Sequence, residues 1–422
     1  MNYLDQAREL DAQDALATFR ERFHFPQFEG RPVLYFTGNS LGLQPTTVQQ
    51  IVDEELADWR TFGVEGHMRS RRPWFSYHQQ FKEPLARLVG GLPHEVVAMN
   101  ALTVNLHLMM VSFYRPTPTR NKVLIVGYEF PSDRYAVESQ IRFHGYDPAD
   151  CLVEIHPEEG SEELTDEQLS SAILGLGDSL ALVHFSGVHY YTGQFFNLPM
   201  IVREAHAMGA FVGFDLAHAI GNVELQLHDW DADYAVWCSY KYLNSGPGGV
   251  GGAFVHERFA DDASLPRLAG WWGNDEATRF TMPHAFEHSY GADGWQLSNA
   301  PVMNMAAHKA SLDIFMEAGM DRISAKRESL TGFAERIIDD IIAHHEGIRI
   351  LTPRDPSRRG AQLSIHFEEH GKTIFDALNK RGVVADWRNP SVIRIAPAPL
   401  YNTFEDVAQL GMLLEKILEV VK

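Results

Sequence analysis

The sequence has few cysteines, few basic residues and no long uninterrupted apolar run. Its only two cysteines, Cys151 and Cys238, argue against a disulfide scaffold and favour reduced, buried thiols. The most apolar window, ALTVNLHLMMVSF, is interrupted by Asn105 and His107 and is too short to span a bilayer. The amino terminus, MNYLDQAREL, lacks the basic and apolar regions of a signal peptide. We therefore expect a cytoplasmic protein that does not bind membranes.

The charge balance is strongly acidic. Asp and Glu number 56 against 36 Lys and Arg, which gives a formal net charge of −20. Broad binding to nucleic acid or to an anionic membrane requires a basic surface, so we expect neither partner. A small anionic ligand stays compatible with this composition, because a few buried cations can dominate the local field.

A chain of 422 residues favours two domains. Between residues 120 and 260, short apolar runs recur at the spacing of βαβ units. These runs are KVLIV (122–126), CLVEI (151–155), LALVH (180–184), AFVGF (210–214) and DYAVWC (233–238). The pattern predicts an α/β domain with an open, mostly parallel sheet covered by helices.

The two flanking regions have a different character. Residues 1–60 carry helical patterns around the turn-rich stretch GNSLGLQP. After about residue 305, two long helical patterns precede the short strands RILTP, QLSIHF and VIRIAP and a final helix. We predict an amino-terminal segment (1–60), a large α/β domain (61–310) and a smaller α+β domain (311–422).

Polar residues cluster where the predicted strands end. The segments that follow four of the strands read GYEFPSDRYA, FSGVHYYTGQ, DLAHAIGN and SYKYLNSGPGG. Open α/β sheets bind ligands at the carboxyl ends of their strands. The segments bring together Phe130, Asp133, Ser186, His189, Tyr191, Asp215, His218, Tyr240 and Lys241. So many acids, phenols and histidines at one sheet edge predict a functional pocket.

Asp215 and Lys241 allow two interpretations. Asp215 ends an apolar strand, and a buried carboxylate is costly unless it meets a cation, which Lys241 would supply in a structural ion pair. Alternatively, each residue binds a different end of pyridoxal phosphate (PLP). Its ring nitrogen suits a carboxylate, its aldehyde suits a lysine, and its phosphate suits a helix start such as the one near Thr103.

Other ligand classes fit the motifs less well. GPGGVGG lacks the GK[ST] ending of a P-loop, and no G-x-G-x-x-G dinucleotide fingerprint follows the first strand of the series. The histidines form no recognisable metal-ligand spacing, so no metal site is predicted. Ser186 does not lie in a G-x-S-x-G elbow, which argues against a hydrolase triad.

Taken in order, several motifs resemble one family. These motifs are GNSLGLQP, LTVN, EFPSD, FSGVHYYTGQ, DLAHAIGN, SYKYLNSGPGG, GWWG, QLSN and RIAPAPLYN, with GH and RPW between residues 66 and 74. They resemble the kynureninases, which are type I (aspartate-aminotransferase-like) PLP enzymes, over roughly residues 35–402. The resemblance implies a type I fold with a mostly parallel seven-stranded sheet. It also implies a homodimer with shared active sites.

The resemblance implies a role for individual residues of this chain. Lys241 would bind the cofactor as a Schiff base, Asp215 would pair with the pyridinium, and Tyr240 would act as general acid and base. The remaining implied cofactor contacts are Leu102, Thr103, Phe130, Asp133, Ser186, His218, Trp271 and Asn299. Arg394 would hold the substrate α-carboxylate. The substrate's aromatic end would meet Ser40, His67 and Asn299.

The implied activity is hydrolysis of the Cβ–Cγ bond of L-kynurenine, of 3-hydroxy-L-kynurenine, or of both. The products would be L-alanine and anthranilate or 3-hydroxyanthranilate, within tryptophan degradation or NAD biosynthesis. The alternatives are an aminotransferase or a cysteine desulfurase-like lyase. A desulfurase needs a mobile cysteine, whereas Cys151 and Cys238 both lie in strand-like runs. A non-catalytic relative is disfavoured, because both Lys241 and Asp215 are present.

Overall fold

The computed structural model of the protein describes residues 3–421, and its amino-terminal part consists of short elements. The helices there are α1 (Tyr3–Ala12), α2 (Val48–Phe62), α3 (Gly66–Arg69) and α4 (Lys82–Val89). The strands are β1 (Phe23–His24), β2 (Gln27–Phe28), β3 (Arg31–Pro32), β4 (Leu34–Tyr35) and β5 (Gln44–Pro45). β1 pairs with β5 and β2 pairs with β3, both antiparallel.

A seven-stranded sheet forms the centre of the molecule. Its strands are β6 (Val96–Ala98), β7 (Lys122–Val126), β8 (Leu152–Ile155), β9 (Leu180–Ser186), β10 (Phe211–Asp215), β11 (Tyr234–Trp237) and β12 (Gly252–Val255). They are arranged in the order β6-β12-β11-β10-β9-β7-β8, and only β12 runs antiparallel to its neighbours. Every residue of β9, β11 and β12 is buried, as expected for a sheet covered on both faces. The mostly parallel seven-stranded sheet is thus confirmed.

Helices connect the parallel strands. They are α5 (Leu102–Phe113), α6 (Pro131–Phe143), α7 (Pro148–Cys151), α8 (Asp166–Leu176) and α9 (Leu198–Ala207). Local sequence sets their ends. Pro131 opens α6, where its missing N–H costs no helix hydrogen bond. After α9, Gly209 adopts a φ of 71°, a left-handed conformation that stops the helix.

Two details differ from the sequence-based expectation. Cys151 is the last residue of α7 rather than part of a strand, and Cys238 directly follows β11. Both thiols are nevertheless buried and free. The short strands β6 and β12 were not predicted. The chain reaches β12 from β11 through a loop in which Gly246 and Gly248 have φ values of 92° and 65°.

The carboxy-terminal part is an antiparallel sheet with helices. Its helices are α10 (Val302–Ala318), α11 (Met320–Ile342), α12 (Gly371–Asn379) and α13 (Phe404–Leu418). Its strands are β13 (Ile348–Ile350), β14 (Leu363–Phe367), β15 (Val383–Val384), β16 (Asp386–Arg388) and β17 (Val392–Ile395). The order β13-β14-β17-β16 places β17 in the interior of the sheet. The amino-terminal segment joins this part, because β4 pairs with β15 and α1 packs on α13.

Both predicted domain limits fall within helices. The limit at residue 60 falls within α2, and the limit at residue 310 falls within α10. α2 and α10 also pack against each other. The division into three parts therefore stays a prediction. Within residues 3–421, no helix is both long and apolar enough to cross a membrane.

Candidate active site

The carboxyl ends of β7, β9, β10 and β11 surround a cavity of about 120 Å³. Side chains from the loops after these strands and from the first residues of α5 and α6 line it. The lining residues are Leu102, Thr103, Glu129, Phe130, Ser132, Asp133, Ser186, Val188, Tyr190, Asp215, Ala217, His218, Cys238, Tyr240 and Lys241. This is the sheet edge at which the sequence predicted a functional pocket.

Lys241 contacts two residues of the cavity. Its Nζ lies 3.0 Å from His218 Nε2 and 5.8 Å from the centre of the Phe130 ring. Burial, followed by the charge of Lys241, lowers the pKa of His218 well below its usual value, so His218 is neutral and accepts a hydrogen bond. In the part of the chain that the structure describes, no salt bridge joins Lys241 to Asp215. The simple ion-pair interpretation is therefore not what this geometry shows.

Asp215 and Asp133 form a buried pair of carboxyl groups. Asp215 ends β10, and its Oδ1 accepts a hydrogen bond from the backbone N–H of Ala217 at 2.6 Å. Burial raises the pKa of Asp215, while a hydrogen bond from Asp133 and the charge of Lys241 oppose the shift. Burial, together with the charges of Asp215 and Glu129, raises the pKa of Asp133 well above its usual value. The pKa of Asp133 is thus the more strongly raised of the two, and Asp133 is the donor in the hydrogen bond between the carboxyl groups.

Glu129 is a third buried carboxyl group at the site, and the sequence analysis missed it. Its Oε1 accepts from the backbone N–H of Phe130 at 3.0 Å. Its Oε2 accepts from the backbone N–H of Ser186 at 3.1 Å. Burial raises the pKa of Glu129, and these backbone hydrogen bonds oppose the shift. Glutamate is rarely buried without a function or a partner, but burial at this position cannot be read from the sequence alone.

The starts of α5 and α6 form a part of the cavity that is suited to an anion. Leu102 and Thr103 begin α5, and Ser132 lies in the first turn of α6. The hydroxyl oxygens of Thr103 and Ser132 are 2.8 Å apart. The amino terminus of α5 with the hydroxyl of Thr103, joined by the hydroxyl of Ser132, is an arrangement suited to binding phosphate.

Arg394 lies beside the cavity rather than on the surface. It belongs to the interior strand β17, and only 1% of its side chain is exposed. Its guanidinium forms a salt bridge with Asp386 and donates to the backbone oxygen of Tyr190, a residue that lines the cavity. Its Nε has no partner among residues 3–421. Burial lowers the pKa of Arg394 to about 10, so it stays charged at neutral pH.

Arg394 and four other residues to which the resemblance gives a role do not line this cavity. Ser40 and Asn299 are exposed, and 47% of Trp271 is exposed. His67 is half-buried and stacks on Phe75, with the two ring centres 4.6 Å apart. Of the strand-end residues, His189 and Tyr191 do not line it either, whereas the predicted cofactor residues of those segments do.

Comparison with known proteins identifies the family. The family model described as "Kynureninase C-terminal domain" matches residues 323–414. The chain is 50% identical over 416 residues to a protein of Flavobacterium psychrophilum named "Kynureninase", covering 98% of each chain. It is 53% identical over 411 residues to the protein of that name from Myxococcus xanthus, covering 97% of this chain and 96% of that one. The chain belongs to the kynureninase family.

Solved structures of more distant proteins share the fold. The cysteine desulfurase CsdA of Escherichia coli superimposes with a TM-score of 0.77 at 17% identity, covering 96% of this chain and 99% of that one. A cysteine desulfurase of Thermococcus onnurineus gives a TM-score of 0.76 at 17% identity, over 92% and 95% of the two chains. At this identity the likeness concerns the fold alone, and it confirms the type I fold expected for a kynureninase.

One polar cluster lies outside the active site of this kynureninase family member. Glu95 Oε1 is 3.0 Å from His228 Nδ1 and 4.0 Å from His256 Nδ1, a grouping that could hold a metal ion. The sequence analysis predicted no metal site. Protein groups already partner the cluster, because Glu95 Oε1 accepts from the backbone N–H of Glu257 and His256 Nδ1 accepts from that of Arg258. A hydrogen-bonded network accounts for these contacts.

Proposed function

We propose that this protein uses PLP to hydrolyse the Cβ–Cγ bond of L-kynurenine, of 3-hydroxy-L-kynurenine, or of both. The products are L-alanine and anthranilate or 3-hydroxyanthranilate. The observation that carries the proposal is the identity of about half of all residues with proteins named "Kynureninase" along 98% of the chain. The cavity supports it as well, because Asp215, Lys241 and the other strand-end residues that suit PLP line it together.

The residues at the cavity fit the three polar parts of PLP. The carboxylate of Asp215 suits a protonated ring nitrogen, and Lys241 suits the aldehyde. The hydroxyls of Thr103 and Ser132, at two helix starts, suit the phosphate. Two buried polar atoms that face no partner within residues 3–421, His218 Nδ1 and Asp133 Oδ1, are further sites where a ligand atom can bind.

Lys241 and Tyr240 are the residues that move protons in this proposal. When bound, PLP supplies an electron sink for the negative charge that develops at the substrate Cα. The free amine of Lys241 removes the Cα proton, and neutral His218 orients that amine through the 3.0 Å contact. Burial raises the pKa of Tyr240, so its phenol keeps a proton to donate. Water adds to the substrate γ-carbonyl, and Tyr240 supplies the proton for the three-carbon product.

Arg394 binds the substrate α-carboxylate in this proposal. A planar guanidinium matches a carboxylate through two parallel hydrogen bonds. Asp386 and the backbone of Tyr190 hold the group in place, and its free Nε leaves a donor for the substrate. Tyr190 connects this position to the cavity, because its ring also contacts Phe130 at a centre-to-centre distance of 5.3 Å.

We also propose a homodimer in which each subunit completes the other's site. Ser40, His67, Trp271 and Asn299 lie outside the cavity of their own chain, so a second subunit gives them access to a cofactor and to the substrate's aromatic end. Their surroundings support this, because the exposed Trp271 packs on Phe280, which is itself 47% exposed. Large exposed aromatic side chains that adjoin one another are typical of protein interfaces.

The alternative type I activities are less well supported. A cysteine desulfurase requires an accessible thiol, whereas both Cys151 and Cys238 are buried. Burial also raises the pKa of Cys238 to about 11, which disfavours the reactive thiolate. An aminotransferase would return the amino group to a keto acid instead of releasing anthranilate.

A cytoplasmic location and a role in tryptophan degradation or NAD biosynthesis complete the proposal, and they rest on the family alone.

The test is to supply the PLP-loaded protein with L-kynurenine and 3-hydroxy-L-kynurenine in parallel and to follow their aromatic products and alanine. We expect both products of at least one substrate to appear in equal amounts. Conversion that depends on an added keto acid and yields no anthranilate would favour the aminotransferase instead. The ratio of kcat/KM for the two substrates gives the preference.

A further inference from the structure

Glu129 is the one acid of the cavity to which neither the predicted site nor the proposed reaction assigns a role. Its carboxyl group is buried, with 6% of the residue exposed, and it lines the same cavity as Lys241. It lies between β7 and α6, directly before Phe130. Burying a carboxylate is costly, so its position calls for a reason.

The two carboxyl oxygens of Glu129 connect two separate parts of the site. One oxygen accepts from the N–H of Phe130, whose ring lies 5.8 Å from Lys241 Nζ. The other accepts from the N–H of Ser186, the last residue of the neighbouring strand β9. Ser186 in turn is paired in register with Asp215 on β10. A single side chain therefore fixes the loop after β7 against the strand ends that carry the cofactor residues.

The charge of Glu129 also acts on the cavity. Lys241 is the only lysine or arginine among the lining residues, whereas Glu129, Asp133 and Asp215 are all acids. The other titratable groups around the cavity are Tyr190, His218, Cys238 and Tyr240. Glu129 and Lys241 interact, because the charge of Lys241 opposes the rise that burial causes in the pKa of Glu129. An acid that interacts with this lysine suits a ligand that brings a positive charge close to it, as a protonated pyridine does.

We infer that Glu129 is a positioning residue of the cofactor site: its carboxylate holds Phe130 and Ser186 against the PLP ring and stabilises positive charge at the ring and at the nitrogen of Lys241. This inference deepens the proposed function and rests on it. Glu129 makes no step of the reaction itself. It acts through its hydrogen bonds to Phe130 and Ser186 and through the electrostatic effect of its charge.

Two variants separate the hydrogen bonds of Glu129 from its charge. Glu129→Gln keeps the length of the side chain but removes the charge and one of the two acceptors. Glu129→Asp keeps the charge but shortens the reach, so it cannot span from Phe130 to Ser186. PLP affinity is measured on each apoprotein from the quenching of tryptophan fluorescence. On each holoenzyme, the visible absorption band of bound PLP is recorded against pH, and the pH at which half of its change has occurred is the midpoint.

We expect both variants to raise the Kd for PLP about tenfold, the effect of one lost hydrogen bond to a charged group. Only Glu129→Gln should also move the midpoint of the visible band to lower pH, because it alone removes the negative charge that stabilises a positive Lys241 nitrogen. Glu129→Asp keeps the wild-type midpoint. If Glu129→Gln does not fold, the Kd of Glu129→Asp for PLP still tests whether the connection between Phe130 and Ser186 supports cofactor binding.

Glu95→Gln is the matched control. Glu95 is also a fully buried glutamate, and it accepts hydrogen bonds from the backbone N–H groups of Leu92 and Glu257, each at 2.7 Å. It lies directly before β6 and outside the cavity. This variant should lower the thermal midpoint and leave both PLP measurements unchanged. An unchanged Kd and midpoint in Glu129→Gln would overturn the inference and leave the proposed function intact. A wild-type protein that binds no PLP would instead overturn the proposed function.

Discussion

Replacing Arg394 with alanine tests the substrate site most informatively, because structure and binding can be separated there. The variant removes a guanidinium of which 1% is exposed and leaves its partner Asp386 without that cation. Breaking a buried ion pair typically costs about 3–5 kcal/mol of stability. Asp386 keeps a second cation, with Arg388 Nη2 at 3.1 Å. We therefore expect a loss near or below the lower end of that range, about 2–3 kcal/mol.

The effect of Arg394→Ala on catalysis should be larger than a loss of folded protein explains. Losing one buried, hydrogen-bonded charge pair with the substrate carboxylate costs about 2–4 kcal/mol. Since each 1.36 kcal/mol is a factor of ten, kcat/KM should fall about 30- to 900-fold, mainly through KM. Urea unfolding gives the stability, and initial rates at several kynurenine concentrations give KM.

A double variant distinguishes the two effects. Arg394→Ala with Asp386→Asn removes both charges of the pair, so most of the lost stability should return while KM stays high. Arg394→Lys keeps the charge without the planar fork and should fall between the wild type and Arg394→Ala in KM. A KM that is unchanged in Arg394→Ala, or that returns to normal in the double variant, would refute the carboxylate role.

Three further predictions concern the cofactor, the subunit interface and acid stability. Lys241→Ala should abolish the visible absorbance that the PLP-reconstituted protein retains after unbound PLP has been removed by gel filtration. Mixing inactive Lys241→Ala with inactive Trp271→Ala should restore part of the activity, because a mixed dimer contains one intact site. His308→Phe should lessen acid destabilisation, measured as the free energy of unfolding between about pH 6 and 4.

The sign of the last prediction follows from burial. Burial lowers the pKa of His308 to about 3, while an unfolded histidine titrates near 6.5. Between these values the unfolded chain binds a proton that the folded chain does not, so stability is lost as the pH falls, by about 1.4 kcal/mol per pH unit. Phenylalanine keeps the contact with Phe81, whose ring centre is 5.6 Å from that of His308. Equal acid sensitivity in the two proteins would contradict this reasoning.

The other two predictions also have clear contrary results. Visible absorbance that persists in Lys241→Ala would mean that another residue holds the cofactor. Activity that fails to return on mixing, while each variant still forms dimers by light scattering, would place Trp271 in its own subunit's site. Either result would remove a role that the resemblance implies and leave the cavity geometry as it is.

Much of the fold was readable because its buried strands are continuous apolar runs. β7, β9, β10 and β11 begin and end within two residues of the predicted runs. β6 and β12 were not predicted, because a run of three or four apolar residues is too short to show a periodic pattern. The run at Cys151 was placed one residue too early, since Pro148 and the capping side chain of Asp147 start a helical turn there.

The site was readable where a residue type and a strand end coincide. Asp215 and Lys241 stand out for that reason, and the structure brings both into one cavity. Glu129 did not stand out, because its role depends on a contact with Ser186, 57 residues away. For Arg394, the alternation of side chains along a strand fits either a pocket or a solvent-exposed face. In the structure, β17 pairs with β14 on one side and β16 on the other, and Arg394 is buried there. The sequence does not specify this pairing.

The central claim is that water cleaves the bond between Cβ and Cγ, and isotope labelling tests it most directly. L-kynurenine is converted by the PLP-loaded protein in water enriched with oxygen-18, and the masses of the products are measured by mass spectrometry. We expect anthranilate with one oxygen-18 atom in its carboxyl group and an equal amount of alanine whose carboxyl group is unlabelled. Kynurenine that loses only its amino group, or anthranilate without the label, would contradict it.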